Sequence, residues 1–163
     1  NVCSSTIIYG KKFDEVLGKN YEDLFNECKN TKNVNYLGFV DNKKITELLK
    51  KMHIHAFPSV WPETSCISAI ESMAAGCEVV TTNLGALYET CTPFAKFVGF
   101  DRNFQLMENK FEKALASSIK NYWSDETQKK LKLQSETINT TYSWEVRSVE
   151  WKNFFDEARH LKR

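Results

Sequence analysis

Apolar and polar positions along the first hundred residues fall in blocks whose period switches between two and about 3.6. Ser5–Gly10 (STIIYG) is a compact β-rich run ended by glycine and predicts a buried strand. Lys11–Lys19 is polar and predicts a loop or short turn. Over Tyr21–Lys29, Leu24, Phe25 and Cys28 recur at helical spacing, and Asn33–Val40 (NVNYLGFV) predicts the next strand and its turn. Asp41 or Asn42 offers a cap for a helix through Lys51, with Ile45, Leu48, Leu49 and Met52 on its apolar face. His53–Phe57 alternates and stops at Pro58, as a strand does before a loop. Thr64–Ala75 predicts a helix with Ile67, Ile70, Met73 and Ala74 inward. Glu78–Thr82 predicts a β-branched strand, Leu87–Cys91 a helical turn, and Lys96–Phe100 a last short strand. From Asn103 the alternation ends, and helices over 103–122, 125–139 and 143–161 follow with no strand between them.

Strand–helix alternation through residue 100 predicts an α/β fold, a Rossmann-like parallel sheet with helices on both faces, followed by a helical tail. Ligands in such sheets lie beyond the carboxyl ends of the strands, so the loops after Gly10, Val40, Phe57 and Thr82 line one edge. No repeat, low-complexity stretch or linker interrupts the chain, which reads as one domain: residues 1–142, with 143–163 as its C-terminal helix.

Composition narrows the partners. The 163 residues are 42% apolar and 26% charged, the balance of an ordinary soluble domain. A net charge of +1 argues against a general nucleic-acid or membrane-surface binder. Five cysteines (Cys3, Cys28, Cys66, Cys77, Cys91) form no CxxC pair, which predicts reduced thiols, an intracellular setting and no zinc site. No run of about eighteen apolar residues is present, so no transmembrane segment is expected. The chain opens on Asn1 rather than Met, from which an upstream portion is expected.

The chemistry concentrates in residues 57–89. Glu63 precedes the helix of Thr64–Ala75, and Glu71 lies two turns into it with seven residues between. A carboxylate accepts hydrogen bonds from two hydroxyls at once, which suits vicinal diols of a sugar or ribose. Thr64 and Ser65 offer cap oxygens, and the amides of Ser65, Cys66 and Ile67 are free donors for a diphosphate. Other readings of these residues stand beside this one. Glu63 serves equally as a first-turn acid favoured by the helix dipole, and Glu71 as a solvated face residue. Cys66 is a small buried or amide-presenting residue more readily than a nucleophile, since no His, Asn or Asp partner is near it in sequence. His53 and His55 fit packing or edge positions of a strand.

The segment Asn33–Glu89 resembles the C-terminal half of glycosyltransferase family four, the "group 1" family of GT-B enzymes. The matching features are N-V-x-(Y/F)-L-G, P-S-x-x-x-E, the Glu–seven–Glu pair, E-(S/A)-M-A-x-G, a V-V-x-T strand and a G-(A/G)-x-x-E ending, in that order over about 55 residues. Tyr142–Glu145 (YSWE) is similar to the opening of the family's last helix. The resemblance implies retaining transfer of a sugar from a nucleotide-diphosphate donor, such as a UDP- or GDP-sugar, without a bound metal. It also implies roles: Glu63 as the catalytic-site carboxylate on the donor sugar, Thr64, Ser65, Cys66 and Ile67 at the sugar and distal phosphate, Glu71 on the ribose, and Phe39–Val40 against the base.

Two departures qualify it. The family places Gly after the first glutamate where this chain has Thr64, Ser65 and Cys66, so a tighter pocket is expected. The family's opening strand and its Arg/Lys diphosphate grip are not found, nor is the N-terminal acceptor-binding domain. The chain is therefore expected to be the donor-binding half of a larger cytoplasmic enzyme, peripheral to a membrane at most and inactive alone, with its first strand–helix unit missing. The alternatives are a non-catalytic Rossmann-like module that docks a partner chain, and a GT-B-type nucleotide-sugar epimerase using Glu63, Glu71 and Glu89. Trp144, Val146, Val149, Trp151, Phe154 and Phe155 give the last helix an aromatic face, which predicts either self-association or a cap over the sheet.

Overall fold

Among the described residues, four short strands, each parallel to its neighbours, lie in sequence order across one sheet: β1 (Val2–Cys3), β2 (Ile54–Phe57), β3 (Glu78–Thr82) and β4 (Lys96–Val98). The structure, a computed structural model, describes residues 1–3 and 22–160. The strand expected over Ser5–Gly10 and the loop over Lys11–Lys19 lie outside the described residues. Parallel neighbours need crossovers, and helices supply them: α1 (Glu22–Asn30) and α2 (Asn42–Leu49) precede β2, α3 (Ile67–Ala74) joins β2 to β3, and α4 (Leu87–Cys91) joins β3 to β4. Three longer helices follow, α5 (Phe104–Asn121), α6 (Asp125–Thr141) and α7 (Trp144–His160). The α/β class, the parallel sheet and the helical tail are as the sequence predicts.

Both faces of the sheet are covered. On one, Cys66, Ala69, Met73, Leu87, Cys91, Phe94 and Ile138 pack on Phe57 and Val79. On the other, Phe111, Tyr122 and Leu131 pack on Ile54, Ala56, Val80 and Val98. Full burial of each Val, Leu, Ile, Phe or Met among them is worth about 1.5–3 kcal/mol. Sandwiching explains why β2 is buried at all four positions rather than alternately. His55 is thereby enclosed at 1% exposure, and burial pushes its imidazole pKa down to about 4. The folded state holds it neutral while the unfolded chain takes a proton below about pH 6.5. Its stabilisation is therefore complete above pH 6.5 and drains as pH falls toward 4, by about 2 kcal/mol between pH 7 and 5. Urea denaturation at the two pH values should show that loss in the wild type and not in His55→Phe; equal losses in both would refute it.

One expected strand does not form. Residues 34–40 are irregular and join no ladder among the described residues, and Val34, Leu37 and Phe39 stand 43, 59 and 92% exposed. Left-handed conformations precede the segment at Asn33 (φ 66°) and interrupt it at Gly38 (φ 63°), and it buries too little apolar surface to hold a strand without partners.

Helix ends follow their polar caps. Asp41 accepts the Lys43 amide at 2.9 Å, Asn103 that of Leu106 at 3.1 Å, and Ser124 that of Thr127 at 3.2 Å. The C-terminus of α3 is finished differently, by side chains of α6. Gln134 Nε2 donates to the carbonyls of Met73 (3.1 Å) and Cys77 (2.9 Å), while Ser135 Oγ (2.7 Å) and Asn139 Nδ2 (3.0 Å) donate to that of Ala74. The carbonyls of Met73 and Ala74 are among the acceptors a helix leaves open at its end, and that of Cys77 lies just beyond it. The tail thus fixes the helix that carries Glu71. By contrast, no residue of α7 is buried, and Trp151, Phe154 and Phe155 contact one another with centroids 5.5–5.9 Å apart. The sheet-capping alternative for α7 is not what the structure shows.

Candidate functional site

The loop from β2 to α3 leaves the carboxyl edge of the sheet and is tied down in two halves. In the first, the Ser59 amide bonds the Phe57 carbonyl (2.8 Å) and Ser59 Oγ bonds that of Trp61 (2.9 Å). Two hydroxyls at the end of β3 reach across, Thr81 Oγ1 to the Phe57 carbonyl (2.9 Å) and Thr82 Oγ1 to that of Ser59 (2.7 Å). Both threonines are fully buried, so these bonds also satisfy groups that would otherwise be costly.

The second half rests on the loop that follows β3. Glu63 forms a parallel bridge with Gly85, and the Ala86 amide donates to the Glu63 carbonyl at 2.7 Å. The loop is anchored in turn to the end of β4: the Asn83 amide donates to Val98 (3.1 Å), and Asn83 Oδ1 accepts the Phe100 amide (2.9 Å).

Because Glu63 is bridged, residues 63–65 are not helical. The helix predicted from Thr64 starts at Ile67, with Cys66 as its cap residue at φ −120°, ψ 92°. Thr64 and Ser65 supply no cap oxygen. Instead the Cys66 carbonyl accepts the amides of Ala69 and Ile70, each at 3.1 Å. Cys66 itself is buried, its Sγ 3.3 Å from Ser68 Oγ. Nearby Cys91 has its thiol pKa pushed up to about 12, by burial first and by Cys66 second. Neither is set up as a nucleophile.

The backbone beyond Glu63 is rich in open donors. The amides of Ser65, Cys66, Ile67 and Ser68 have no acceptor among the described residues. Glu63 and Glu71 flank this row, both half-buried, and neither carboxylate has a hydrogen bond or ion pair among the described residues. Glu63 lies upstream of the first turn, so the helix dipole does not account for it. Thr64 and Ser65 are exposed, as are Ile67 (70%) and Trp61 (73%). Phe39 and Val40 are not joined to residues 63–71 by any hydrogen bond or ring contact; their connection is indirect, through α2 packing on α3. Two open clefts lie elsewhere, about 390 Å³ around Gly76, Tyr122 and Leu131 and about 420 Å³ around Pro58, Met107 and Phe111. Residues 63–71 line neither. They form an open edge.

The family model described as glycosyl transferases group 1 matches residues 5–137, well over half of the chain. The chain belongs to this family. In the glycosyltransferase the match takes in the whole span from residue 22 through β2, the Glu63–Glu71 segment and most of α6, so the sheet just described is the C-terminal, donor-binding domain of a GT-B fold. No match to a curated protein was found. Among the described residues, no helix is long and apolar enough to cross a membrane.

For several residues that build the candidate site, the motifs give the position but not the contact. Ser59 falls in P-S-x-x-x-E and Thr82 in the V-V-x-T strand, with nothing in either motif to show that the two are bonded, and Thr81 looks like an ordinary strand residue. Gly85 and Ala86 open the G-(A/G)-x-x-E pattern, with nothing to show that they touch Glu63.

Proposed function

We propose that this domain holds a nucleotide-diphosphate sugar along the edge formed by residues 63–71, as the donor half of a retaining glycosyltransferase. The observation that supports this is the row of open amides from Ser65 to Ser68, flanked by two carboxylates without partners. Oriented amides at a helix start suit the diphosphate, and they stabilise the charge that builds on it as the sugar departs. Glu63 accepts from hydroxyls of the donor sugar, and Glu71 accepts from the ribose. The exposed ring of Phe39 and its neighbour Val40 offer a surface to the base. Residues 1–142 make up the donor-binding unit and 143–163 its closing helix. The second wall and the acceptor come from the acceptor-binding domain of the complete enzyme, so the chain alone binds weakly and does not turn over.

Titration with UDP, GDP and ADP, and with UDP-glucose, GDP-mannose and ADP-glucose, followed by amide resonances of the labelled chain, tests this. Shifts at residues 63–71 in the millimolar range are expected for at least one base. Unmoved resonances there with all six would overturn the proposal.

A further inference from the structure

We infer that Gly85 is a positioning residue for donor recognition: lacking a Cβ, it lets the loop after β3 seat directly on the backbone of Pro62 and Glu63 and so sets where Glu63 points. The inference rests on the reading of Glu63 as the carboxylate on the donor sugar. A Cβ at Gly85 would stand 2.6 Å from both the Glu63 nitrogen and carbonyl oxygen and 2.7 Å from the Pro62 carbonyl carbon. These are backbone atoms, so no rotamer change relieves the overlap, and either the loop or residues 62–63 must move. The same glycine sits at φ 60°, a conformation costly for other residues.

The contact also has a direction. The Ala86 amide holds the Glu63 carbonyl at 2.7 Å. In a trans peptide the carbonyl and the following N–H point opposite ways, so this bond turns the Thr64 amide away from the loop. Close seating at Gly85 is what brings Ala86 into range. The neighbouring anchors, Thr82 on Ser59 and Asn83 on Val98, do not pass through Gly85. A change at Gly85 is therefore felt at residues 62–66 while the sheet stays intact.

Gly76 provides a matched control. It too has positive φ (88°), but a Cβ there meets nothing within 4 Å. Gly76→Ala carries the conformational cost without the collision. In unliganded protein, Gly85→Ala should shift the amide resonances of residues 62–66 and speed exchange of the Ala86 amide roughly tenfold, and Gly76→Ala should do neither. Matching patterns in the two variants, or unmoved resonances at 62–66, would overturn the inference. The second reading is a ratio of affinities, taken with whichever base the wild type prefers. Gly85→Ala should weaken the sugar nucleotide roughly tenfold and the nucleoside monophosphate less than twofold. Equal loss on both would make Gly85 merely structural and overturn its role in recognition.

A wild type that binds none of these probes refutes the donor reading, and the recognition role of Gly85 with it, while the resonance comparison still decides the backbone contact. If Gly85→Ala does not fold, Ala86→Pro takes its place. It removes the amide that donates to Glu63 at a φ of −77° that proline accepts, and the resonances of residues 62–66 and the ratio of affinities are read as before.

Discussion

Glu63→Ala in the complete transferase is expected to lower turnover roughly tenfold to a hundredfold, with thermal stability close to that of the wild type. A hydrogen bond to a charged group is worth about 1.5–3 kcal/mol, and here the bonds would form only with the donor, since the Glu63 carboxylate has no partner among the described residues. The absence of such a partner is also why the fold should not notice the change: the backbone of Glu63, not its side chain, makes the bridge to Gly85. Glu63→Gln separates the two properties of the carboxylate, keeping one acceptor oxygen while removing the charge, and should fall between wild type and alanine. Steady-state kinetics on purified full-length protein, with melting curves alongside, would decide. Wild-type turnover in Glu63→Ala would remove the residue from the donor site.

Gln134→Leu should destabilise the domain by about 2–3 kcal/mol and lower its melting temperature by roughly 4–12 °C. The side chain is completely buried and donates to two carbonyls at the junction of α3 and β3. Leucine conserves volume, so the loss isolates the hydrogen bonds from any cavity. Met73 retains the Gly76 amide at 3.1 Å, and the penalty falls mainly on the Cys77 carbonyl. An unchanged melting temperature would show that water or a small shift of α6 replaces the amide at no cost.

What could be read from the chain depended on range. Caps such as Asn103 and Ser124 act within three residues, so α5 and α6 start where the pattern places them. The apolar runs of β2 and β3 are local as well. The strand expected at Asn33–Val40 fails because a strand is a property of two segments, and no partner among the described residues joins it. The start of α3 was misplaced for a related reason: Thr64 and Ser65 are good cap residues, but the bridge from Glu63 to Gly85, twenty-two positions away, holds them outside the helix. Gln134 was half visible. Leu131, Gln134 and Ile138 share one face of α6, and a polar residue between two buried apolar ones is a sign of a buried hydrogen bond. The Glu63–Glu71 spacing and the open amides were legible because they lie within ten residues. The contacts that aim them were not.

The clamp on α3 also sets an order of events. At eight residues, α3 is shorter than the roughly 12–15 a helix needs to persist alone in water, and its end carbonyls on Met73 and Ala74 take three bonds from residues 61 to 65 positions later. During synthesis at about 5–20 residues per second, the edge of residues 63–71 therefore waits roughly 3–12 s after α3 has been made before the segment that secures it exists. A nascent chain halted before Gln134 would carry every residue of the Glu63–Glu71 motif and still lack the clamp that holds its helix.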